Sequence, residues 1–311
     1  MMRILVLGAG GIGGYFGGRL AEAGADVTFL VRPGRAAQLA ADGLVVKSAH
    51  GDIARPVRTI GAEALAGDGR YDLVLLTCKA FDLDAAIAAI APAVRRGAAV
   101  LPMLNGLRHL DRLDTEFGTE AVLGGLCHIA ATLASGGEVR HLNKLHAITL
   151  GVRRPGQRAL VTEFAAAAAG AKFDCRVAED VLQDMWEKFV LLATMAAMTC
   201  LMRANVGQIM AAEDGEALML ETLAEADATA GAAGHASRPN RLAAARATLT
   251  ERGSSFAASM LRDVERGGPT EAAHVVGDML ARARAAGVAA PMLRAGWCHL
   301  QAYEARRAAG G

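Results

Sequence analysis

The spacing of hydrophobic positions divides the chain into two halves. Ile4-Leu5-Val6-Leu7 is an apolar run of strand length that passes directly into Gly8-Ala9-Gly10-Gly11-Ile12-Gly13, and Ile12, Phe16 and Leu20 then recur at helical spacing. Asp26 to Val31 reads as a second strand. Tyr71 to Thr77 and Ala98 to Pro102 are nearly continuous apolar runs, as expected of parallel strands buried on both faces. Between them and the second strand, Leu44 to Thr59 mixes short β-type runs with Gly51 and Pro56, which predicts a small inserted hairpin. Ala121 to Val152 predicts several strands, with turns at Ser135-Gly136-Gly137 and at Leu142 to Lys144, completing the sheet with antiparallel pieces. From Arg158 onward the texture is alanine-rich and helical, interrupted at Phe173 to Val177 and broken near Gly231 to Pro239 and at Gly267-Gly268-Pro269. The pattern predicts an α/β fold: a doubly wound sheet over residues 1–177, then an all-helical domain over residues 178–311.

The glycine cluster after the first strand has the order that a dinucleotide requires. Gly8 permits the tight turn out of the strand, Gly10 lets the backbone approach a pyrophosphate, and Gly13 lets the helix lie close on the sheet. The amides that open the helix, at Gly11 and Ile12, then face the phosphates. Glycine-rich turns are common, but a strand before and a helix after make this one specific for a Rossmann-type cofactor domain. The second strand ends on Arg32, followed by Pro33, Gly34 and Arg35, with no carboxylate at the position that holds a ribose 2′-hydroxyl in NAD sites. Arg32, with Arg35 behind it, is therefore a candidate for the 2′-phosphate of NADPH, although a solvated basic loop would read the same way. Lys79 follows the Tyr71 strand at its carboxyl end, where it fits a contact to cofactor phosphate or adenosine and equally a plain surface lysine. Asn105, in Leu104-Asn105-Gly106 after the next strand, offers donors and an acceptor to ribose or to a substrate carboxylate, and Asn-Gly is also a common turn.

Composition narrows the function classes. The 311 residues suggest about two domains, and with 53% hydrophobic residues and a net charge of +1 neither disorder nor nucleic-acid binding is expected. Five cysteines, scattered and without a CxxC pair, argue against a disulfide framework or a zinc site and for a reducing cytoplasm. His128, His141 and His146 have no metal-clamp spacing, so no metal is expected. The N-terminal run lacks the features of a secretory signal and is too short and glycine-rich to span a bilayer, so no membrane association is expected.

Five segments occur in the order seen in ketopantoate reductases: Gly8 to Gly18, Cys78-Lys79-Ala80-Phe81-Asp82, Leu104-Asn105-Gly106, Trp186-Glu187-Lys188, and Ser259-Met260-Leu261-Arg262-Asp263 through Thr270-Glu271. The chain resembles that family over nearly its whole length. The resemblance implies a Rossmann domain followed by a helical domain for substrate binding and dimerisation, in a homodimer that reduces 2-dehydropantoate to (R)-pantoate with NADPH, a step of pantothenate biosynthesis. Carried over by position, it makes Lys188 the catalytic residue and Glu271 its distant partner, with Ser259 holding the substrate carboxylate, while Asn105 stays the candidate for cofactor and substrate that its amide suggests. A proton donor or fixed positive charge is what a carbonyl oxygen needs as hydride reaches the carbon, which suits Lys188; on its own, a lysine in so apolar a helix would read as a snorkelling side chain. Glu271 reads as the first turn of a helix capped by Thr270. One departure concerns the positions four and eight beyond Lys188. Known members carry asparagines there, whereas this chain has Leu192 and Ala196, which makes that wall apolar. Arg203 is a candidate replacement contact for a carboxylate. Two functions follow: a reductase of 2-dehydropantoate or of a more apolar oxo acid, and an NADPH-binding sensor or assembly protein without turnover. Retention of Lys188, Ser259 and Glu271 together favours the enzyme.

Overall fold

The computed structural model describes residues 1–310. It divides into two compact units, one of Met1–Leu104 with His109–Leu182, the other of Asn105–Arg108 with the chain from Gln183 onward. In chain order the strands are β1 (Arg3–Leu7), β2 (Asp26–Leu30), β3 (Leu44–Lys47), β4 (Ile53–Arg55), β5 (Arg58–Ile60), β6 (Leu73–Leu76), β7 (Ala99–Pro102), β8 (Gly124–Leu133), β9 (Val139–Gly151) and β10 (Asp174–Val177). The first unit also carries α1 (Gly11–Glu22), α2 (Pro33–Asp42), α3 (Leu83–Val94), α4 (Arg108–Phe117) and α5 (Arg158–Ala168).

One sheet has the order β5-β2-β1-β6-β7, with every pairing parallel. Its central strands are buried on both faces: Ile4, Leu5, Val6 and Leu73 to Leu76 are fully inaccessible, as their unbroken apolar runs require. Because β1 lies between β2 and β6, the winding direction reverses at its carboxyl end, where such sheets open a ligand crevice.

The remaining strands form a second sheet and do not complete the first. Its order is β10-β9-β3-β4, with β8 antiparallel to β9. The expected hairpin is β3–β4, but β5 leaves it to pair with β2. The expected turn at Leu142 to Lys144 is instead a wide bulge inside β9. His146 pairs with Ile129 and His141 with Ala131, so residues 142–145 lie opposite the single residue Ala130. The Ala130 amide donates to Asn143 Oδ1 at 3.0 Å, which satisfies the group that the bulge leaves unpaired.

Helix α1 lies between the two sheets, and its glycines are spaced accordingly. A Cβ on Gly17 would meet the Phe29 ring at 2.7 Å, and one on Gly13 would run into the Gly8 carbonyl and Thr77 Oγ1, so Gly13 and Gly17 face the first sheet. Gly11, Gly14 and Gly18 face the second, against the Ala131 carbonyl, Val139 and Leu44 at 2.6, 2.7 and 2.9 Å. Each glycine costs about 1 kcal/mol of helix propensity relative to alanine. Close packing of Tyr15, Phe16 and Leu20, all fully buried, offsets that cost.

The second unit holds α6 (Val181–Met202) from Gln183 on, α7 (Val206–Ala211), α8 (Gly215–Ala232), α9 (Pro239–Leu249), α10 (Ser259–Glu265), α11 (Val276–Ala285) and α12 (Pro291–Ala308). Helix α6 is long and apolar enough to cross a membrane by length and composition, but 72% of its most apolar window is buried within the protein. Thr194 and Thr199 lie in that buried stretch and donate to the carbonyls of Val190 and Met195, so neither hydroxyl enters the core bare. Gly296 brings α12 against Ala197 of α6, and Glu225 of α8 accepts the Met292 and Leu293 amides that open α12, both at 2.9 Å.

Candidate active site

The candidate cofactor-binding residues lie at the carboxyl ends of β1, β2 and β6. Gly8 adopts φ +88°, the left-handed turn out of β1 that glycine alone adopts without strain. A Cβ at Gly10 would meet nothing within 4 Å, in contrast to Gly11 and Gly13 beside it. Gly10 is also the N-cap of α1 and supplies no side-chain cap to the first amides of the helix. That combination fits a pyrophosphate: backbone approach at Gly10, and donors with the positive end of a helix dipole behind it. Two further contacts hold the turn in shape. Thr77 Oγ1 donates to the Leu7 carbonyl at 2.6 Å, and Arg35 donates to the Ala9 carbonyl through Nε at 3.2 Å and Nη2 at 2.9 Å.

Arg35 is thus a structural residue. Its remaining donors go to Gln38 and the Gly137 carbonyl, and burial pushes its pKa down from the usual arginine value. Arg32 is different: its side chain is 79% exposed, and Nη2 contacts Asp82 Oδ1 at 3.0 Å. Lys79 is exposed at the end of β6, and its carbonyl accepts from the Asp82 amide at 2.9 Å.

A second candidate cluster, in the other unit, lies on α6. Glu187, next to Lys188, accepts from Arg238 through the backbone amide at 2.9 Å and Nε at 2.7 Å, and Arg238 also reaches Asp184. Burial alone would raise the Glu187 carboxyl, but the Arg238 and Gln183 hydrogen bonds hold it below the ordinary glutamate value. The Trp186 ring stacks on His235 with centroids 5.7 Å apart, and the Arg282 guanidinium lies 5.5 Å from its centre. Trp186 and Glu187 therefore fix the rotation of α6, and the next residue, Lys188, projects its ammonium to Asn105 Oδ1 at 3.1 Å. Asn105 is presented by a turn in which Gly106 has φ +75° and sits against His274, whose backbone oxygen would be 2.7 Å from a Cβ at that position. The His274 and Val275 amides both donate to the Glu271 carbonyl at 3.0 Å, so the Glu271 turn supports the Asn105 turn from behind. Burial pushes the His274 imidazole pKa down, against the pull of the Glu271 and Asp278 carboxylates.

The other candidates are placed as follows. Glu271 precedes α11 rather than lying in its first turn, which begins at Val276. Thr270 turns its hydroxyl to Glu304 at 2.6 Å while accepting from the Ala272 amide at 3.3 Å. Ser259 opens α10 at the surface. Arg203 is exposed and follows α6 at φ +52°, with the Ala204 amide bonded back to the Thr199 carbonyl; that left-handed closing position ordinarily falls to glycine. Of the two departures beyond Lys188, Leu192 stays partly accessible whereas Ala196 is 3% exposed and belongs to the core. Arg238, His274, Thr77 and Asp82 had no signal in the sequence as single residues. Arg238 directly before Pro239, the first residue of a helix, is the one placement that hinted at a helix-start role.

The histidines of the second sheet form a latch. The His146 and His50 rings stack 3.7 Å apart, Tyr15 hydroxyl and His146 Nδ1 are 2.8 Å apart, and Ser48 Oγ bonds to His141 Nδ1 at 3.0 Å. They tie the β3–β4 turn to β9 and α1, and among the described residues no group of three or more His, Cys, Asp or Glu could hold a metal ion.

A doubly wound sheet with a phosphate-fitting glycine turn, followed in the chain by a helical unit bearing an amide-paired lysine, defines a two-domain pyridine-nucleotide oxidoreductase acting on CH–OH groups. Residues 4–155 match the family described as ketopantoate reductase PanE/ApbA, and residues 180–304 match the C-terminal domain of the same family. The chain belongs to the ketopantoate reductase family. It is 34% identical over 306 residues to the uncharacterized oxidoreductase YkpB of Bacillus subtilis, covering 98% of this chain and 100% of that protein. It is 25% identical over 310 residues to a 2-dehydropantoate 2-reductase of Nostoc sp., covering 98% and 96% of the two chains. The crystal structure of a 2-dehydropantoate 2-reductase from Geobacter metallireducens superposes with a TM-score of 0.86 at 31% identity, over 96% of this chain and 99% of the other.

Proposed function

We propose that the protein is an NADPH-dependent reductase of a 2-keto acid in the cytoplasm, acting as a homodimer, with 2-dehydropantoate as the first candidate substrate. The observation that carries this reading is the Lys188 ammonium held on Asn105 Oδ1 at 3.1 Å by an α6 whose rotation Arg238 and Trp186 fix. When bound, the nicotinamide supplies a hydride to the carbonyl carbon. Lys188 Nζ donates a proton to the carbonyl oxygen as negative charge develops there, and Asn105 keeps the ammonium directed. Glu271 accepts from a substrate hydroxyl, while Ser259 and Arg203 hold the carboxylate. The Gly8–Gly13 turn holds the pyrophosphate, and Arg32 and Lys79 the adenosine side. The Asn105–Gly106 turn that serves Lys188 is backed by the His274 backbone, and the His274 amide is in turn bonded to the Glu271 carbonyl, which supports this reading.

A second reading concerns the substrate. Leu192 stands one helical step from Lys188 and is partly accessible, which favours an oxo acid less hydroxylated than 2-dehydropantoate. NADPH oxidation measured with the purified chain against a panel of 2-keto acids that includes 2-dehydropantoate tests both. Turnover of at least one panel member supports the reductase; binding of NADPH without turnover of any would favour a sensor or assembly role and contradict it.

A further inference from the structure

The loop after β2 and the loop after β6 are joined by one ion pair. Arg32 Nη2 lies 3.0 Å from Asp82 Oδ1, with side-chain exposures of 79% and 39%. Since β2 and β6 flank β1 in the sheet, the pair bridges the loops on either side of the Gly8–Gly10 turn. Neither residue uses its side chain to cap the helix that it precedes, α2 for Arg32 and α3 for Asp82. An exposed pair of this kind contributes little to folding. Arg35 cannot replace Arg32, because its guanidinium is committed to Ala9, Gln38 and Gly137.

We propose that Asp82 sets the nucleotide preference, making the chain a reductase with only a modest bias toward NADPH over NADH. The inference rests on the nucleotide-dependent reading given above. A 2′-phosphate on Arg32 would compete with Asp82 for the guanidinium and, at an assumed separation on the order of 5 Å, would set up to two negative charges against that carboxylate. A ribose 2′-hydroxyl meets no such opposition. It can donate to Asp82, which supplies from the β6 side the carboxylate that NAD sites ordinarily place at the end of β2. At an effective dielectric near that of water, with physiological screening, the repulsion corresponds to about a three- to tenfold weakening of NADPH binding.

Equilibrium titration of the full chain with NADPH and with NADH, followed by nucleotide fluorescence, tests the assignment. Asp82→Asn keeps the shape and removes the charge. It should tighten NADPH about three- to tenfold, leave NADH unchanged or weaker, and lose most of that gain in about 1 M salt, where the screening length is roughly 3 Å. Asp82→Ser should shift the ratio the same way, which guards against a peculiarity of one variant. If either folded variant leaves the NADPH to NADH ratio within about twofold of the parent, the role of Asp82 is overturned. A parent chain that binds neither nucleotide overturns the cofactor reading itself, and this inference with it. A parent that binds both, with an unresponsive ratio in the variants, overturns Asp82 alone.

Discussion

Gly10 and Gly13 are two apparently similar glycines of one turn, and replacing each with alanine should separate binding from folding. At Gly10 the backbone is extended, φ −85° and ψ −159°, which alanine adopts freely, and its Cβ would meet nothing within 4 Å. Restricting the unfolded chain stabilises by about 0.4–1 kcal/mol, and alanine as an N-cap costs a similar amount, so Gly10→Ala should melt within roughly 4 °C of the parent. The added methyl group occupies the approach to the α1 amides. Loss of a single charge-assisted hydrogen bond to the pyrophosphate, about 1.5–3 kcal/mol, weakens NADPH about ten- to a hundredfold. At Gly13 the added Cβ would lie well under 3.0 Å from the Gly8 carbonyl and Thr77 Oγ1. One of those partners is backbone, so helix and strand must separate, at about 1–3 kcal/mol, and Tm should fall by roughly 2–10 °C. Thermal melts and NADPH titrations on both variants decide the matter. A Gly10→Ala protein that binds NADPH within about threefold of the parent would refute the placement of the pyrophosphate.

Arg32→Ala should weaken NADPH about ten- to a hundredfold in the same titration and leave NADH nearly untouched; equal losses would remove Arg32 from the 2′-phosphate site. Leu192→Asn should raise the preference for 2-dehydropantoate over its deoxy analogue at least about tenfold in kcat/KM, and an unchanged ratio would take Leu192 out of the substrate wall. Folding stability should fall between pH 7.5 and 5.5. The His146 and His274 imidazoles are lowered first by burial, so the folded chain binds fewer protons than the unfolded chain, whose histidines titrate near 6.5. Stability is then full above that pH and is lost as pH falls through the depressed folded values. His146 is opposed by His50, His141 and Arg19 and favoured by Asp174. A urea midpoint at pH 5.5 equal to or above that at pH 7.5 would contradict this.

The parts of the molecule legible in its sequence are those with a local physical signature. The buried runs of β1, β6 and β7 could be read because a strand covered on both faces must be apolar throughout, and Gly8-x-Gly10-x-x-Gly13 because turn, phosphate approach and helix packing each demand glycine. The second sheet was not legible, because nothing local distinguishes a strand that extends one sheet from a strand that starts another. Gly11, Gly14 and Gly18 carry that information, but locally they read as part of the nucleotide turn, and their reason lies in β8, β9 and β3, which pack against them. The bulge at residues 142–145 imitates a turn for a similar reason, since Asn143, a residue typical of turns, satisfies the backbone across the ladder at Ala130. On α6, a family pattern points to Lys188, while the partners that fix the helix, Arg238 and His235, lie some fifty residues away and share no spacing with it.

The most direct test of the proposed chemistry is the Lys188→Ala variant, measured for NADPH affinity and for steady-state turnover of the best 2-keto acid found in the panel. A group that acts on the carbonyl oxygen matters most as charge develops there, so kcat should fall by roughly 10²- to 10⁴-fold while the NADPH dissociation constant stays within about threefold of the parent. A folded Lys188→Ala protein that binds NADPH and turns over within about tenfold of the parent rate would place the proton donor elsewhere.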